Sequence, residues 1–410
     1  MIDILVLSPA SFTDVNRAIY KRLADRGWAV EIVIPARLFE GGGMKEANPD
    51  RPGDPPVHRL EITHPENSRI SQFAGINELL DRRQPRLVLL DNDPASRMAF
   101  SAGRWARGHR ARVVCQSCEN IPRSVVNDLA AGKLKKAARS AVINSAMGLA
   151  RFRVDHVFTI SNDGTDLWER SSLHGRVSRI PLGFDPAIFH PDSSLRETTR
   201  ARLGLNQLTI AYFGRINPQK GVHLLIEALG QIKDKPWQFL LDHFASPDDP
   251  YLKDLTTQID RLGLRDRLVQ FEARHSQMGV YMNAADVVVL PSVTTPQWKE
   301  QYGRVAPEAM ACGKLVLVSD SGALPELVGD AGAVFPENNV PAIAALLRRA
   351  MDDEQWRERL SKAAAVRAAE QLSLDRQCEL MNDVFTRLLG SGPSRNLSPA
   401  TVEIASEIQS

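Results

Sequence analysis

The sequence predicts an α/β protein of two doubly wound domains, each with a parallel sheet covered by helices on both faces. At 410 residues the chain is too long for one compact core, since single domains usually hold about 100–200 residues. Short runs rich in Val, Ile and Leu alternate with amphipathic helical patterns along both halves. Continuous apolar runs of this kind are typical of parallel strands that are buried on both faces.

The first half supplies the strands of one sheet. They are predicted at IDILVLS, AVEIVIP, RLVLLD, RVVCQS and HVFTIS, with a helix over residues 14–26 after the first of them. Residues 38–65 contain GGG and several prolines without a period, so they are predicted to be a mobile loop. The N-terminal domain is therefore predicted over residues 1–185.

The second half repeats the pattern after a boundary rich in Pro and Gly, RIPLGFDPAIFHPD. Its strands are predicted at LTIAYFG, WQFLLD, RLVQFEA, DVVVLPS and KLVLVSD, which gives a C-terminal domain over residues 186–370. Residues 371–389 are predicted to form a helix that packs back on the N-terminal domain, and 390–410 a loosely ordered tail. Open parallel sheets bind ligands beyond the carboxyl ends of their strands, so we expect the ligand in a central cleft that both domains face.

Composition excludes several classes of protein. Hydrophobic content of 43% and charged content of 24% are ordinary for a globular chain, and no apolar run is long enough to predict a membrane-spanning helix. Four scattered cysteines predict no disulfide framework, which favours a cytoplasmic location. Net charge is only +2, and no nucleic-acid-binding module is recognisable.

The charge is unevenly distributed along the chain. Residues 1–185 hold 27 Lys and Arg against 21 Asp and Glu, and Arg97–Arg139 holds ten basic residues against two acidic ones. This asymmetry indicates either an anionic partner for the N-terminal half or a solvated basic face.

The segment GRINPQKG follows the strand LTIAYFG and leads into a helix. Gly214 permits a tight turn, and Arg215 and Lys220 flank the start of that helix. A helix N-terminus with added cations suits a diphosphate, although the segment is neither a P-loop nor GxGxxG. A surface turn with incidental charges is the alternative.

A second segment, WKEQYGRVAPEAMACG, places Glu300 before a helix and Glu308 inside it. The helix is predicted to begin near Arg304, because Pro307 is tolerated only within a first turn. Backbone N–H groups of residues 303–305 would then form a second anion site. Alternatively, Glu300 is a capping residue and Glu308 a solvated one.

Taken in order, GRINPQKG, PSVTTPQWKEQYGRVAPEAMACG and SDSGALPELV resemble the family-4 glycosyltransferases, and the boundary segment RIPLGFDPAIFHPD is similar to theirs. The resemblance implies the GT-B architecture, in which two Rossmann-like domains face a cleft. It also implies a retaining enzyme that moves a sugar from a UDP- or GDP-sugar to a saccharide or lipid-linked acceptor in polysaccharide or glycolipid synthesis. The nucleotide sugar is a co-substrate, and no metal or other cofactor is implied.

The family's roles transfer to matching positions of this chain. The resemblance implies that Arg215 and Lys220 bind the donor diphosphate, Glu300 the sugar hydroxyls and Glu308 the ribose diol. Preorganised cations and helix N–H groups would stabilise the leaving diphosphate without a metal. The implied catalytic residues are Glu300, Arg215, Lys220 and Glu119, and the implied donor-binding residues are Gly214, Arg215, Lys220, His275, Glu300, Tyr302, Gly303, Arg304, Val305 and Glu308.

Some segments depart from the family pattern. SPASF stands where relatives usually have Gly-Gly, and CENIPR puts Glu119 where many have His. Glu119 is therefore predicted to contact the sugar or the acceptor, or else to cap a loop. Asp91 and Asp93 match the DxD pattern of metal-dependent transferases, but a single triplet is weak support for a metal site.

Residues 132–153 combine basic side chains with Val142, Ile143, Met147 and Leu149. Such a helix predicts peripheral contact with the anionic inner face of the membrane, unless its apolar stripe lies in the domain core.

Two other functions remain open. A nucleotide-sugar epimerase of similar architecture would need no acceptor, and a non-catalytic nucleotide-sugar-binding protein would turn nothing over. The glutamate pair together with GRINPQKG favours the transferase. The base, sugar, acceptor and oligomeric state are not encoded in any of these motifs.

Overall fold

The computed structural model describes residues 2–40, 43–242 and 249–394, which fold into two compact units. The first unit is formed by the described residues up to Pro181 together with those from Gln377 onward, and the second by Leu182–Arg376. The domain boundaries predicted from the sequence lie between residues 185 and 186 and between residues 370 and 371. Most of the predicted tail, residues 395–410, lies outside the described residues.

Strands of the first unit form mainly one parallel sheet. Their bounds are β1 (Ile4–Leu7), β2 (Val30–Pro35), β3 (Arg37–Glu40), β4 (Gly43–Glu46), β5 (Val57–Leu60), β6 (Ile62–Thr63), β7 (Gln72–Phe73), β8 (Leu87–Leu90), β9 (Arg112–Ser117), β10 (His156–Thr159) and β11 (Val177–Arg179). Among the described residues the main sheet has the order β11-β10-β9-β8-β1-β2-β5. Its central strands β1 and β8 are buried along their whole length, as the continuous apolar runs predict.

Helices cover this sheet. Their bounds are α1 (Ala18–Asp25), α2 (Ile76–Arg83), α3 (Arg97–His109), α4 (Val125–Ala130), α5 (Leu134–Ala150) and α6 (Asn162–Glu169). The helix predicted over residues 14–26 is shorter than expected, because Asp14–Arg17 form a 3₁₀ turn before α1.

The prediction of a mobile loop over residues 38–65 is wrong for much of that segment. There, β3 and β4 pair as an antiparallel hairpin, and β5 extends the main sheet beside β2 with Ile32 opposite Val57. β5 is an edge strand whose sequence VHRL is half-buried to exposed, so it lacks the apolar signal of the central strands.

The second unit also contains a parallel sheet. Its strands are β12 (Leu208–Tyr212), β13 (Trp237–Asp242), β14 (Leu268–Phe271), β15 (Val287–Leu290), β16 (Leu315–Ser319) and β17 (Ala333–Phe335). Within the described residues their order is β14-β13-β12-β15-β16-β17. The remaining helices are α7 (Ser193–Leu203), α8 (Val222–Gly230), α9 (Pro250–Arg261), α10 (Met278–Ala284), α11 (Val305–Ala311), α12 (Leu324–Val328), α13 (Val340–Asp352), α14 (Glu354–Gln371) and α15 (Leu374–Leu389).

Each sheet has a topological switch point where ligands are expected. In the second unit β12 lies between β13 and β15, so the chain leaves β12 and β15 toward opposite sides of the sheet. The two predicted motifs follow these two strands directly. In the first unit the equivalent position lies between β1 and β8.

No described helix combines the length and the hydrophobicity that crossing a membrane requires.

The last helix, α15, starts in the second unit and from Gln377 onward belongs to the first. Its fully buried Phe385 contacts the rings of Trp28 and Phe158, with centroids 6.1 and 5.7 Å away. Trp28 Nε1 also donates a hydrogen bond of 3.1 Å to Asn382 Oδ1. The core of the first unit therefore includes side chains from the end of the chain.

Replacing Phe385 with Ala should destabilise the first unit by about 3–5 kcal/mol, the usual cost of removing a buried aromatic ring. Calorimetric unfolding measures this loss. Asp383→Ala on the exposed face of the same helix is the control and should change stability by less than about 0.5 kcal/mol. A Phe385 variant as stable as the control would show that α15 is not part of the core.

Candidate functional site

The turn after β12 is held in place by backbone geometry and local hydrogen bonds. Gly214 has a φ of 111°, which favours glycine, and the Tyr212 hydroxyl donates to the Arg215 carbonyl over 2.7 Å. The Asn217 side chain accepts from the Lys220 amide at 3.2 Å. As a result Arg215 is exposed and Lys220 is half-buried at the start of α8.

Lys220 and Glu300 form an ion pair. Glu300 is buried, and its Oε2 lies 2.6 Å from Lys220 Nζ. The Ser292 hydroxyl donates to the same oxygen over 2.7 Å. The ammonium also lies 5.2 Å from the centre of the Trp298 ring. Two residues that the resemblance assigns to diphosphate and sugar thus contact each other directly.

The backbone of Glu300 is fixed by the segment after β16. Ala323 N–H donates to the Glu300 carbonyl over 3.1 Å, and the Ser321 hydroxyl accepts from Glu300 N–H at 3.4 Å. Gly322 has a φ of 54°, and a Cβ there would overlap the Glu300 carbonyl. The SDSG motif therefore positions this glutamate.

Helix α11 presents the second glutamate. It starts at Val305 after Arg304, and Pro307 lies in its first turn, as predicted from sequence. Glu308 is buried, and its Oε1 lies 2.9 Å from His275 Nε2. Pairing with the imidazole compensates the burial of this carboxylate.

The residues just before α11 form the turn that leads into this helix. Gly303 has a φ of 84°. Tyr302 is buried, and its hydroxyl donates to the Leu182 carbonyl over 2.6 Å. Its hydroxyl thus makes a structural contact, although the sequence predicts a donor-binding role for this residue.

A cavity of about 600 Å³ lies at the carboxyl ends of β12, β13 and β14. Of the predicted donor-binding residues, Gly214, Arg215, His275, Val305 and Glu308 line it, whereas Lys220 and Glu300 do not. Apolar side chains that the sequence does not single out complete the wall, among them Phe213, Met278 and Met282. The predicted residues are therefore divided between this cavity and the Lys220–Glu300 pair, and Tyr302, Gly303 and Arg304 belong to neither.

Asp242 also lines the cavity and is missed by the sequence prediction. Its side chain is buried, and Oδ2 accepts from Gly214 N–H over 3.2 Å. Oδ1 has no hydrogen-bond partner among the described residues. Burial raises the pKa of Asp242 to about 6, and the nearby Glu272 contributes to the rise. The available signal is a charged residue at the end of an otherwise apolar strand, WQFLLD.

In the first unit Glu119 is the centre of an ion-pair cluster after β9. Its Oε2 accepts from the guanidinium groups of Arg69 and Arg123, the latter over 3.1 Å. Asp93 Oδ2 lies 3.9 Å from Arg69, and its Oδ1 accepts from the Ser117 hydroxyl. Burial raises the pKa of Asp93, and the charge of Glu119 adds to this effect.

Asp91, the other half of the DxD pattern, accepts from the Ser8 hydroxyl over 2.9 Å at the switch point. In the described part of the chain, no three His, Cys, Asp or Glu side chains are grouped closely enough to hold a metal ion.

Comparison with known proteins gives matches along most of the chain. Residues 13–183 match the model of the glycosyl transferase 4-like domain, and residues 196–367 match that of glycosyl transferases group 1. D-inositol 3-phosphate glycosyltransferases are among the similar curated proteins. That of Jonesia denitrificans is 32% identical over 56% of each chain, and that of Mycolicibacterium smegmatis 30% identical over 59% of this chain and 55% of its own. The chain spans about half the length of the curated relatives it matches.

Solved structures are similar along nearly the whole chain. Sucrose-phosphate synthase from Thermosynechococcus elongatus superposes with a TM-score of 0.70 at 20% identity, covering 95% of this chain and 100% of its own. Anabaena HepE in complex with UDP gives 0.70 at 19% identity, covering 94% and 100%. These likenesses confirm the predicted fold class, α/β with GT-B architecture. The chain belongs to the family-4 glycosyltransferases.

Replacing Asp242 with Asn should stabilise the protein at neutral pH. Below about pH 4 the native and unfolded carboxyl groups are both protonated. Between pH 3.8 and about 6 only the unfolded group ionises, so this group lowers stability as the pH rises, and the loss persists above pH 6. An asparagine side chain does not ionise, so the variant should gain about 2–3 kcal/mol over the natural chain at pH 7 and much less near pH 4.

Thermal unfolding at a series of pH values measures the difference between the two proteins. Asp254→Asn, on the exposed face of α9, is the control and should change stability by less than about 0.5 kcal/mol. If the stability difference between Asp242→Asn and the natural chain is the same at every pH, packing and not ionisation causes the change.

Proposed function

We propose that the protein is a retaining, metal-independent glycosyltransferase that moves a sugar from a UDP- or GDP-sugar to a saccharide or lipid-linked acceptor. The observation that carries the proposal is the arrangement of two buried carboxylates at the switch point of the second unit. Glu300 pairs with Lys220 on one side, and Glu308 pairs with His275 in the wall of the adjoining cavity.

The cavity supports nucleotide binding by its size and chemistry. About 600 Å³ with apolar walls and a few polar groups is typical of a cofactor-sized pocket. In the proposal the base rests on Phe213 and Met278, and Glu308 accepts hydrogen bonds from the ribose diol. Arg215, exposed at the same cavity, binds the diphosphate.

The proposed reaction depends on stabilisation of the negative charge that develops on the leaving diphosphate. Breaking the bond between sugar and phosphate leaves negative charge on the diphosphate, and a preorganised cation lowers the energy of that state. Arg215 and Lys220 provide two such cations close to the turn after β12. Glu300 keeps Lys220 positioned before the donor arrives and then accepts hydrogen bonds from the sugar hydroxyls.

The relatives guide the choice of substrates. HepE is described in complex with UDP-glucose, which supports a UDP-sugar as the first donor to test, with a GDP-sugar as the alternative. WaaG, which superposes with a TM-score of 0.67 at 16% identity, is described as a glycosyltransferase involved in lipopolysaccharide biosynthesis. It supports a cell-surface saccharide or glycolipid as the product.

Glu300→Ala should abolish sugar transfer and leave nucleotide binding largely intact. The glutamate does not line the nucleotide cavity. Its removal leaves the sugar hydroxyls of the donor without the carboxylate to which they donate hydrogen bonds. Transfer from UDP- and GDP-sugars to a panel of saccharides, with binding of UDP by calorimetry, separates the two effects. Glu197→Ala, an exposed carboxylate on α7, is the control and should retain full activity.

Two further measurements test the same proposal. Incubation without acceptor distinguishes transfer from epimerisation, because an epimerase would interconvert the free nucleotide sugar. Turnover abolished by EDTA would refute metal independence. Loss of UDP affinity with normal turnover at saturation would refute the role of Glu300.

A surface of the first unit supports peripheral contact with an anionic membrane. The sequence points to four apolar residues of α5, of which Val142 and Leu149 are exposed, while Ile143 is buried and Met147 half-buried. Further exposed apolar side chains lie on or next to α4 and α5, and basic residues accompany them. The apolar members are Val126, Leu129, Leu134, Val142, Leu149 and Phe152, and the basic ones include Lys133, Lys135 and Arg139.

Introducing charge into this surface should weaken membrane binding. Val142 and Leu149 are 70% and 53% exposed, so Val142→Asp with Leu149→Asp costs little stability but adds negative charge that anionic lipid repels. Sedimentation with vesicles rich in phosphatidylglycerol should fall about tenfold or more. Val366→Asp, at a site 56% exposed on α14, is the matched control and should sediment like the natural chain. Equal sedimentation of all three proteins would exclude this surface as the contact.

A further inference from the structure

A second cavity, of about 410 Å³, lies entirely within the first unit. It opens beside the segment after β9 and is bounded by α5 and α6. Its lining mixes charges of both signs with small apolar surfaces. The charged members are Arg69, Arg123, Arg170, Glu119, Asp163 and Asp166.

Each arginine of this cavity already has a carboxylate partner. Arg69 and Arg123 both donate to Glu119 Oε2, and Arg170 lies 3.7 Å from Asp166. Arg69, Arg123 and Glu119 expose only 17–26% of their side chains, so these charges are shielded from water. Asp93 adds a further carboxyl 3.9 Å from Arg69. The three arginines and three acidic residues that line the cavity balance in formal charge, so it offers fixed hydrogen-bonding groups without a net positive charge.

Another groove of the same unit shows the opposite arrangement. Arg97, Arg104 and Arg153 line a cavity of about 570 Å³ between α2 and α3, with Glu78 on its wall. Within residues 2–40, 43–242 and 249–394, none of the three guanidinium groups is in an ion pair. The pairing around Glu119 is thus a local property and not a general feature of arginines in this basic unit.

We propose that the cavity beside Glu119 binds the acceptor as an uncharged polyol, and that Glu119 excludes phosphorylated and other anionic acceptors. This inference rests on the proposed function and specifies the acceptor class for it. Glu119 acts as a specificity-determining residue, through its hold on Arg69 and Arg123.

The exclusion follows from the cost of breaking the existing pairs. A phosphate group that approaches the two guanidinium groups would either lie beside the Glu119 carboxylate, which repels it, or displace that carboxylate and leave it unpaired near Asp93. Hydroxyl groups require no such displacement. They can donate to the remaining lone pairs of Glu119 and accept from Asn144 or from remaining guanidinium N–H groups.

A hydrogen-bond network centred on Ser117 holds the Asp93 carboxylate and the backbone of Glu119. Trp168 Nε1 donates to the Ser117 hydroxyl over 3.0 Å, and that hydroxyl donates to Asp93. Ser117 Oγ also accepts from Glu119 N–H over 3.2 Å. One serine thus holds the Asp93 carboxylate and the Glu119 backbone, so the two acidic residues stay next to each other.

Inorganic phosphate is the probe for the test, and saturating UDP is present throughout to occupy the second unit. Affinity is measured by calorimetry for the natural chain, Glu119→Gln, Glu119→Ala and the double variant Glu119→Gln with Arg69→Ala. Both single variants release two guanidinium groups, so each should bind phosphate about tenfold or more tightly than the natural chain. The double variant keeps only Arg123 as a released group, so its phosphate affinity should fall between those of Glu119→Gln and the natural chain. The groove on α3 is the same in all four proteins, so its contribution cancels.

Equal phosphate affinity in the natural chain and both Glu119 variants would overturn the proposal. Arg69→Ala alone gives a second measurement that does not depend on the folding of the Glu119 variants: it should leave phosphate affinity unchanged, and a loss would show that Arg69 is open to anions in the natural chain. Glu119→Gln has nearly the same size as the natural residue, and its melting temperature reports whether the fold is retained. If UDP fails to bind, the proposed donor site is wrong, whereas the difference between the Glu119 variants and the natural chain still shows whether Glu119 keeps anions out of this cavity.

Discussion

The buried carboxylate of Glu300 is the constraint on which the arrangement of the second unit depends. An ionised carboxylate taken out of water costs several kcal/mol unless a cation and hydrogen bonds compensate it. Lys220 and Ser292 provide that compensation from two different strand ends. The turns after β12 and β15 must therefore keep a fixed relation to each other, and Gly214 and Gly221 have the positive φ angles that the turn after β12 requires. Gly322, after β16, allows the close approach to the Glu300 carbonyl.

The other buried or partly buried carboxyl groups differ in the partners that compensate their loss of contact with water. Glu308 has an imidazole partner, and Glu119 has two guanidinium partners. Asp242 has a single backbone N–H and a raised pKa, so its environment favours the neutral form. Buried acidic groups of similar chemistry are thereby given different hydrogen-bonding partners by their surroundings.

The sequence predicts the fold class and the positions of the two motifs correctly, because strand ends and glycine turns leave local patterns. It does not predict that Lys220 pairs with Glu300, since the two are 80 residues apart and no spacing rule joins them. For the same reason Arg69 could not be matched to Glu119, which lies 50 residues further along the chain. Asp242 and β5 are not predicted, for different reasons. Asp242 ends a run of apolar residues and is part of no recognisable motif. Strand β5 is a half-exposed edge strand, so its sequence lacks the apolar pattern of a buried strand.

The path of the chain through α15 has a consequence for synthesis. The ring of Phe385 fills the core beside Trp28, and the whole of the second unit, Leu182–Arg376, separates the two parts of the first. As the chain leaves the ribosome, the first unit must wait with part of its aromatic core open until the final helix emerges. Closing so long a loop is entropically unfavourable, and folding the second unit first shortens the effective distance. The second unit, which is continuous in sequence, is therefore the part of the molecule able to fold before the polypeptide is complete.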